Sequence, residues 1–356
     1  SATEYTRDLD LENAVANVDF KANATEYHRE YFISYEHNVL AMKLTAKGEK
    51  KLNFNVRFPV DNAENVQARK LGKNASYTVD ADTIVMRGEL QDNQLKMNSM
   101  LKVIPGDGAV EKNSDGESLD VRDAGEAVIF VAADTDYANR YPNYRSGETE
   151  AELAERVAAR IKRAAADSYE TVKEAHIADY RNIYGRVHLD LGQGVSDKTT
   201  DELLDAYKNG RATQAERAQL EVLLYQFGRF LTIESSRAGD LPANLQGVWQ
   251  NRVGDDDRVP WASDYHFNVN VQMNYWPTYS ANMAECAEPF VDYVNSLREP
   301  GRVTAATYFG IESPDGEENG FTVHTVNNPF GWTAPGWEFS WGWSPAALPW
   351  ALQNCW

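Results

Sequence analysis

Ser263-Asp264-Tyr265-His266-Phe267-Asn268-Val269-Asn270-Val271-Gln272-Met273-Asn274-Tyr275-Trp276-Pro277 alternates strictly over its central nine residues. His266, Asn268, Asn270, Gln272 and Asn274 take one set of places, and Phe267, Val269, Val271 and Met273 the other. In an extended chain successive side chains point to opposite faces, so this spacing predicts a strand with one face of neutral hydrogen-bonding groups and one apolar face that anchors it. A solvated strand more often carries Lys, Glu, Thr or Ser. Buried amides require partners, and a polyhydroxylated ligand such as a sugar supplies many. The same row also suits a polar edge strand satisfied by neighbouring backbone, and the residues alone leave both readings open.

Outward from this stretch, all nine tryptophans fall at or after Trp249, and the first 248 residues contain none. Such a composition boundary predicts two parts with different work. Trp beside polar groups forms platforms for pyranose rings, since the indole face matches sugar C–H groups and its N–H donates. At 356 residues the chain has room for two domains. Its 35 basic and 54 acidic residues give a net charge of -19. That disfavours nucleic acid, whose binding rests on Lys and Arg, and equally an anionic membrane surface. No apolar run approaches the roughly 20 residues that span a bilayer, so no membrane insertion is expected. Ser1-Ala2-Thr3-Glu4 has no charged start or apolar core of a signal peptide, and a start without Met points to processing or a shortened chain. Cys286 and Cys355 define neither a disulfide framework nor a metal cluster. No metal or cofactor is expected.

Residues 5 to about 135 read as short strands, among them Glu30–Tyr35, Asn38–Leu44, Lys51–Phe58, Tyr77–Val79, Thr83–Gly88, Leu95–Ile104 and Glu126–Ala132. Many strands without intervening helices predict an antiparallel β-sandwich. His28 and His37 stand alone there and read as structural. Then the period changes. Glu150–Ala166, starting from Thr149, and Tyr169–Tyr184 are predicted amphipathic helices, followed by a short strand at Val187–Leu191. Further helices are expected at Asp201–Lys208, at Ala215 to about Glu234, and at Asn282–Asn295 with Asn282 as N-cap. The loop Asp240 to Trp249, the acidic Asp255-Asp256-Asp257 and the opening stretch lie between the last two. Those three aspartates lack calcium-loop spacing and read as a solvated loop. Glu338 carries no motif, and Glu285 and Glu288 read as surface or cap groups.

Two blocks, Leu241-Pro242-Ala243-Asn244-Leu245-Gln246-Gly247-Val248-Trp249 and Trp261 to Pro277, resemble glycoside hydrolase family 95, the inverting α-L-fucosidases with some α-L-galactosidases among them. His176-Ile177-Ala178-Asp179-Tyr180 and Val187 to Gly192 fit the same family. The resemblance implies β first and α second: residues 1–140 as the later part of an N-terminal β-sandwich, 141–198 as a helical linker, and 199–356 as the opening part of an (α/α)6 barrel. It implies Asn270 as the amide that activates the attacking water, with Asn268 beside it as a second carbonyl on the same face. His266 would meet the sugar and favour fucose; Gln246 and Trp249 would line the pocket. Trp343, with Trp341, would supply an apolar wall for the fucose methyl. The family's general acid, a glutamate, and the aspartate that polarises the asparagine are expected beyond Trp356, so this chain by itself is expected to lack hydrolysis. The implied partners are fucosylated glycans, with 1,2-linked fucose foremost, and the implied setting is extracellular or at a bacterial cell surface. An α-L-galactosidase and a non-catalytic carbohydrate-binding protein remain as alternatives.

Overall fold

The computed structural model describes residues 2–58, 73–244, 264–313, 319–335 and 344–356. The chain divides into two compact units, the first running through Tyr180 and the second beginning at Arg181.

The first unit is built on antiparallel strands. Its larger sheet has eight, β1 (Thr3–Asp10), β2 (Val15–Ala22), β3 (Thr25–Ser34), β4 (Val39–Gly48), β6 (Lys73–Asp80), β7 (Thr83–Leu90), β8 (Lys96–Ile104) and β11 (Glu126–Thr135), in the order β1-β2-β3-β4-β11-β8-β7-β6. A smaller sheet joins β5 (Leu52–Val56), β10 (Leu119–Ala124) and β9 (Ala109–Lys112) in that order. Alternation along β11 shows how the sequence divides its faces. Val128, Phe130 and Ala132 share one core with Val39 and Ala41, whereas Ala127 and Ile129 share another with Val103 and Leu101. The second core draws on both sheets through Leu52, Leu119, Val121 and Ala124.

The first core is covered by helix α1 (Glu150–Asp167) and the start of α2 (Tyr169–Tyr184). Leu153, Val157, Ile161 and Ala164 recur at three- and four-residue spacing and are buried, as the period predicts. Thr149 starts α1 with a capping box: its hydroxyl accepts from Glu152 N–H at 3.2 Å, and the Glu152 carboxylate accepts from Thr149 N–H at 2.8 Å. His37, read as a lone structural histidine, lies between the Ser34 hydroxyl and the Asp167 carboxylate, each 3.3 Å from a ring nitrogen.

The second unit is helical. It holds α3 (Thr200–Lys208), α4 (Gln214–Ser235), α5 (Asn270–Tyr275), α6 (Pro277–Ser280), a 3₁₀ turn at Ala284–Ala287, α7 (Glu288–Ser296), α8 (Arg298–Phe309) and α9 (Ala347–Cys355). The architecture is therefore an N-terminal antiparallel β region followed by helices. Three local expectations are corrected. Val187–Leu191 forms no strand, because the Val187 carbonyl accepts from the buried Arg229 at 3.3 Å instead of joining a ladder. Asn282 is not an N-cap: its φ is +55°, a left-handed residue where the chain turns before the 3₁₀ segment. The predicted strand from His266 to Asn274 is only two residues long, β12 (Tyr265–His266), and gives way to a turn and then α5.

Candidate functional site

That last correction reshapes the candidate site. Phe267, Val271 and Tyr275 are spaced four apart, and all three are buried with Phe290 and Tyr293 of α7. A helix puts such a set on one face, and its burial outweighs the alternation. Met273, expected on an apolar anchoring face, is instead 46% exposed. Asn268 and Asn270 no longer share a strand face. Asn268 lies in the turn and Asn270 opens α5.

The polar row separates into structural and available members. Gln272 is fully buried and donates through Nε2 to the carbonyls of Phe267 (2.7 Å) and Ala347 (3.2 Å), tying the turn to α9. Its Oε1 is buried without a hydrogen-bond partner. Asn274 donates through Nδ2 to the carbonyls of Ala243 (3.2 Å) and Asn244 (3.3 Å). Asn268 is exposed, and its Oδ1 accepts from Val269 N–H at 3.0 Å, which leaves one lone pair on that oxygen. Asn270 is partly exposed, and among the described residues nothing hydrogen-bonds its amide.

His266 is 5% exposed and pairs through its backbone with Val326, while Tyr265 pairs with Asn327 in the two-residue strand β13 (Val326–Asn327). The His266 Nδ1 lies 3.3 Å from the Asp264 carbonyl oxygen. A carbonyl can only accept, so Nδ1 is the donor in this contact.

The two sequence blocks meet here. Tyr265 donates its phenol to the Pro242 carbonyl at 2.8 Å. Ala243 N–H donates to the Tyr275 phenol oxygen at 2.9 Å, and that oxygen also lies 2.9 Å from the Ser236 hydroxyl, which donates to the Cys286 carbonyl at 2.9 Å. The alternation reading did not identify Tyr265, Tyr275 and Ser236 as the residues that join the blocks; the four-residue spacing ending at Tyr275 is the signal that marks it.

Electrostatics follow from this packing. Burial raises the Tyr275 phenol to about 12, so it stays neutral and bridges as a hydrogen-bonding group. Burial likewise raises the Cys286 thiol to about 12, which excludes it as a nucleophile near neutral pH. Asp264 is pushed above the ordinary carboxylate range by burial, against the pull of His266. Asp240 is raised by burial too, against the Arg237 N–H that it accepts. Two carboxyls thus flank the joined blocks with reduced acidity. Gln246, Trp249, Trp341 and Trp343 lie outside the described residues, as do Glu338 and Asp255 to Asp257. Among the described residues no group of three or more His, Cys, Asp or Glu has metal-holding geometry, and no helix is long and apolar enough to cross a membrane.

Comparison with known proteins agrees with this layout. The glycosyl hydrolase family 95 catalytic domain matches residues 168–356, and the N-terminal domain of glycosyl hydrolase family 65 matches residues 1–140. Alpha-L-fucosidase 2 of Arabidopsis thaliana is 30% identical over 375 residues, covering 99% of this chain and 42% of the relative. The Aspergillus niger protein named Probable alpha-fucosidase A is 29% identical over 362 residues, with the same coverages of 99% and 42%. The chain therefore spans about two-fifths of the length of these relatives. A solved structure from the human microbiome, named for kojibiose phosphorylase, superimposes with a TM-score of 0.57 at 9% identity, covering 93% of this chain and 39% of that one, a likeness of fold alone. With more than half of its length matched to that catalytic domain, the chain belongs to glycoside hydrolase family 95.

Proposed function

We propose that the protein carrying this chain releases terminal α-L-fucose, 1,2-linked in the first instance, from glycans by single-step inversion. The observation that carries the proposal is the division of the polar row. Gln272 and Asn274 are consumed by backbone carbonyls, while the Asn270 amide has no hydrogen-bond partner among the described residues and Asn268 keeps acceptor capacity. In this reading the two amide oxygens hold the attacking water, and His266 meets the sugar. An amide oxygen is a weak base, so a carboxylate must polarise it within a dry site. The general acid must stand on the opposite side of the sugar, with about 6.5–9.5 Å between acid and base for the water. In this reading neither carboxylate is assigned to a residue of this chain. Gln246, Trp249 and Trp343 complete the pocket in the same reading.

The proposal extends to architecture. Residues 1–140 form the later part of a β-sandwich, 141–198 a helical linker and 199–356 the opening helices of an (α/α)6 barrel. Substrates of this kind place the protein outside the cell or at its surface.

The test is kinetic. The 356-residue chain alone should release no fucose from 2'-fucosyllactose, and rapid release would overturn the assignment of acid and base. In the chain extended to the length of its relatives, Asn270→Ala should lower kcat by about 10²–10⁴ while fucose binding is retained. An unchanged kcat would remove Asn270 from the reaction.

A further inference from the structure

One built loop near the joined blocks has no role in the reading above. Its stem is β13, which pairs with Tyr265 and His266, and Phe267 N–H donates to the Thr325 carbonyl at 2.7 Å. Its base closes where His324 donates to the Thr333 carbonyl from its backbone N–H (3.3 Å) and from Nδ1 (2.9 Å). The Thr304 and Thr333 hydroxyls meet at 2.7 Å. Asn327 is fully buried: its Oδ1 accepts the Tyr293 phenol at 2.6 Å and its Nδ2 donates to the His324 carbonyl at 3.4 Å.

The tip is equally fixed. Asn328 Oδ1 accepts from Phe330 N–H (2.9 Å) and Trp332 N–H (3.4 Å), and Gly331, at φ +77°, donates its N–H to the Asn328 carbonyl at 3.1 Å. A Cβ is disfavoured at that φ, so the glycine permits the turn that presents Trp332. Despite this investment in order, the tip leaves Phe330 41% and Trp332 47% exposed. Both large aromatic rings on this hydrogen-bonded tip thus leave part of their surface to solvent.

We propose that Trp332, with Phe330 beside it, is the stacking platform for the pyranose ring to which the terminal sugar is attached. The inference rests on the fucosidase reading for the identity of the terminal sugar. The loop's stem lies at the buried His266 and its tip lies in solvent. A terminal sugar seated on the polar groups at the stem leaves its neighbouring ring at the tip. An indole face suits that ring because its C–H groups match the π surface and stacking tolerates differences in hydroxyl pattern. Trp332 therefore sets preference for the leaving-group sugar and not for the reacting one.

The experiment uses the chain extended to the length of its relatives, with Trp332→Ala and Trp332→Phe. Kinetics are measured on 2'-fucosyllactose and on α-L-fucosyl fluoride, whose leaving group is a single atom. In parallel, saturation-transfer NMR measures binding of lactose, the leaving disaccharide without fucose. The Ala variant should raise KM for 2'-fucosyllactose about tenfold, leave kcat/KM for the fluoride unchanged, and lose saturation transfer to lactose. The Phe variant should recover most of both. Equal losses on both substrates, or retained lactose contact in the Ala variant, would show that Trp332 is only a packing residue or is covered by another part of the polypeptide. Lactose contact that depends on Trp332 in a protein that hydrolyses neither substrate would keep the platform and overturn the fucosidase reading.

Discussion

At the residue scale, Gln272 shows how a polar side chain can look like a ligand group and serve as a brace. Its Nε2 holds two buried carbonyls, Phe267 and Ala347, on different segments. Replacing it by Leu keeps the volume and strands both acceptors, while removing the buried Oε1 that had no partner. We expect Gln272→Leu to destabilise the second unit by about 1–3 kcal/mol, read from urea denaturation, because unmade buried hydrogen bonds cost that much. No loss would mean that water reaches those carbonyls. The contrast with Asn270→Ala, which should spare stability, separates brace from site. The sequence displayed the chemistry of this row plainly and its conformation poorly. A nine-residue alternation and the four-residue series Phe267, Val271, Tyr275 coexist in the same residues, and only the packing partners Phe290 and Tyr293 decide between them. Which amides remain available follows from carbonyls as far away in sequence as Ala347, and no local pattern reports that.

At the element scale, helices with a three- and four-residue apolar period were legible. Thr149 was readable as the start of α1, and Tyr169–Tyr184 was readable to its last residue from periodicity. Arg298–Phe309 was not, because Pro300 and Gly301 look like breakers. Pro300 sits in the first helical turn, where no intrahelical N–H bond is lost. Gly301 is needed because a Cβ there would lie 2.8 Å from the Thr322 carbonyl oxygen. The C-terminus of α2 depends on Arg229, which is 2% exposed and donates to the carbonyls of Ile183 (3.2 Å) and Tyr184 (2.7 Å). Its guanidinium also lies 5.1 Å from the Tyr184 ring centroid. A lysine ammonium cannot reproduce that fork. Arg229→Lys should therefore lower stability by about 2–3 kcal/mol, and a melting temperature equal to the parent's would count against the cap. Earlier in the same helix, His176 is 2% exposed, with Nε2 at 3.0 Å from the Asn13 carbonyl and 3.1 Å from that of Ala14. Burial lowers its pKa below the ordinary 6.5, outweighing the two carbonyls that favour the charged ring. The unfolded chain then binds the proton more readily. Stability from the neutral ring is intact above pH about 6.5 and is lost as pH falls from there through the folded value. His176→Gln, which keeps a donor, should flatten the dependence of the urea midpoint on pH between about 7.5 and 5; parallel slopes would exclude His176 as its source.

At the scale of the whole molecule, the β region and the helical region each have their own buried cores, and the tryptophan boundary in the sequence falls within the helical region, after its first four helices. The order of the larger sheet carries a further consequence. β11 lies at its interior, paired on both sides with β4 and β8, and its Ala127 and Phe130 are fully buried. β1 stands at one end, exposed along nearly its whole length, with Glu4 at φ +49° where the register shifts between Thr3 and Thr6. One side of β1 thus offers its amides to solvent, and the irregular start with Glu4, Arg7, Asp8 and Asp10 discourages another strand from pairing there. In deuterium oxide the unpaired amides of β1 should therefore exchange first and those of β11 last, with β2 and β3 between them. Mass-spectrometric exchange of the 356-residue chain reads this order directly, and early exchange of β11 would contradict it. The sheet then behaves as a graded clock, in which distance from the open edge sets how long a backbone proton is kept.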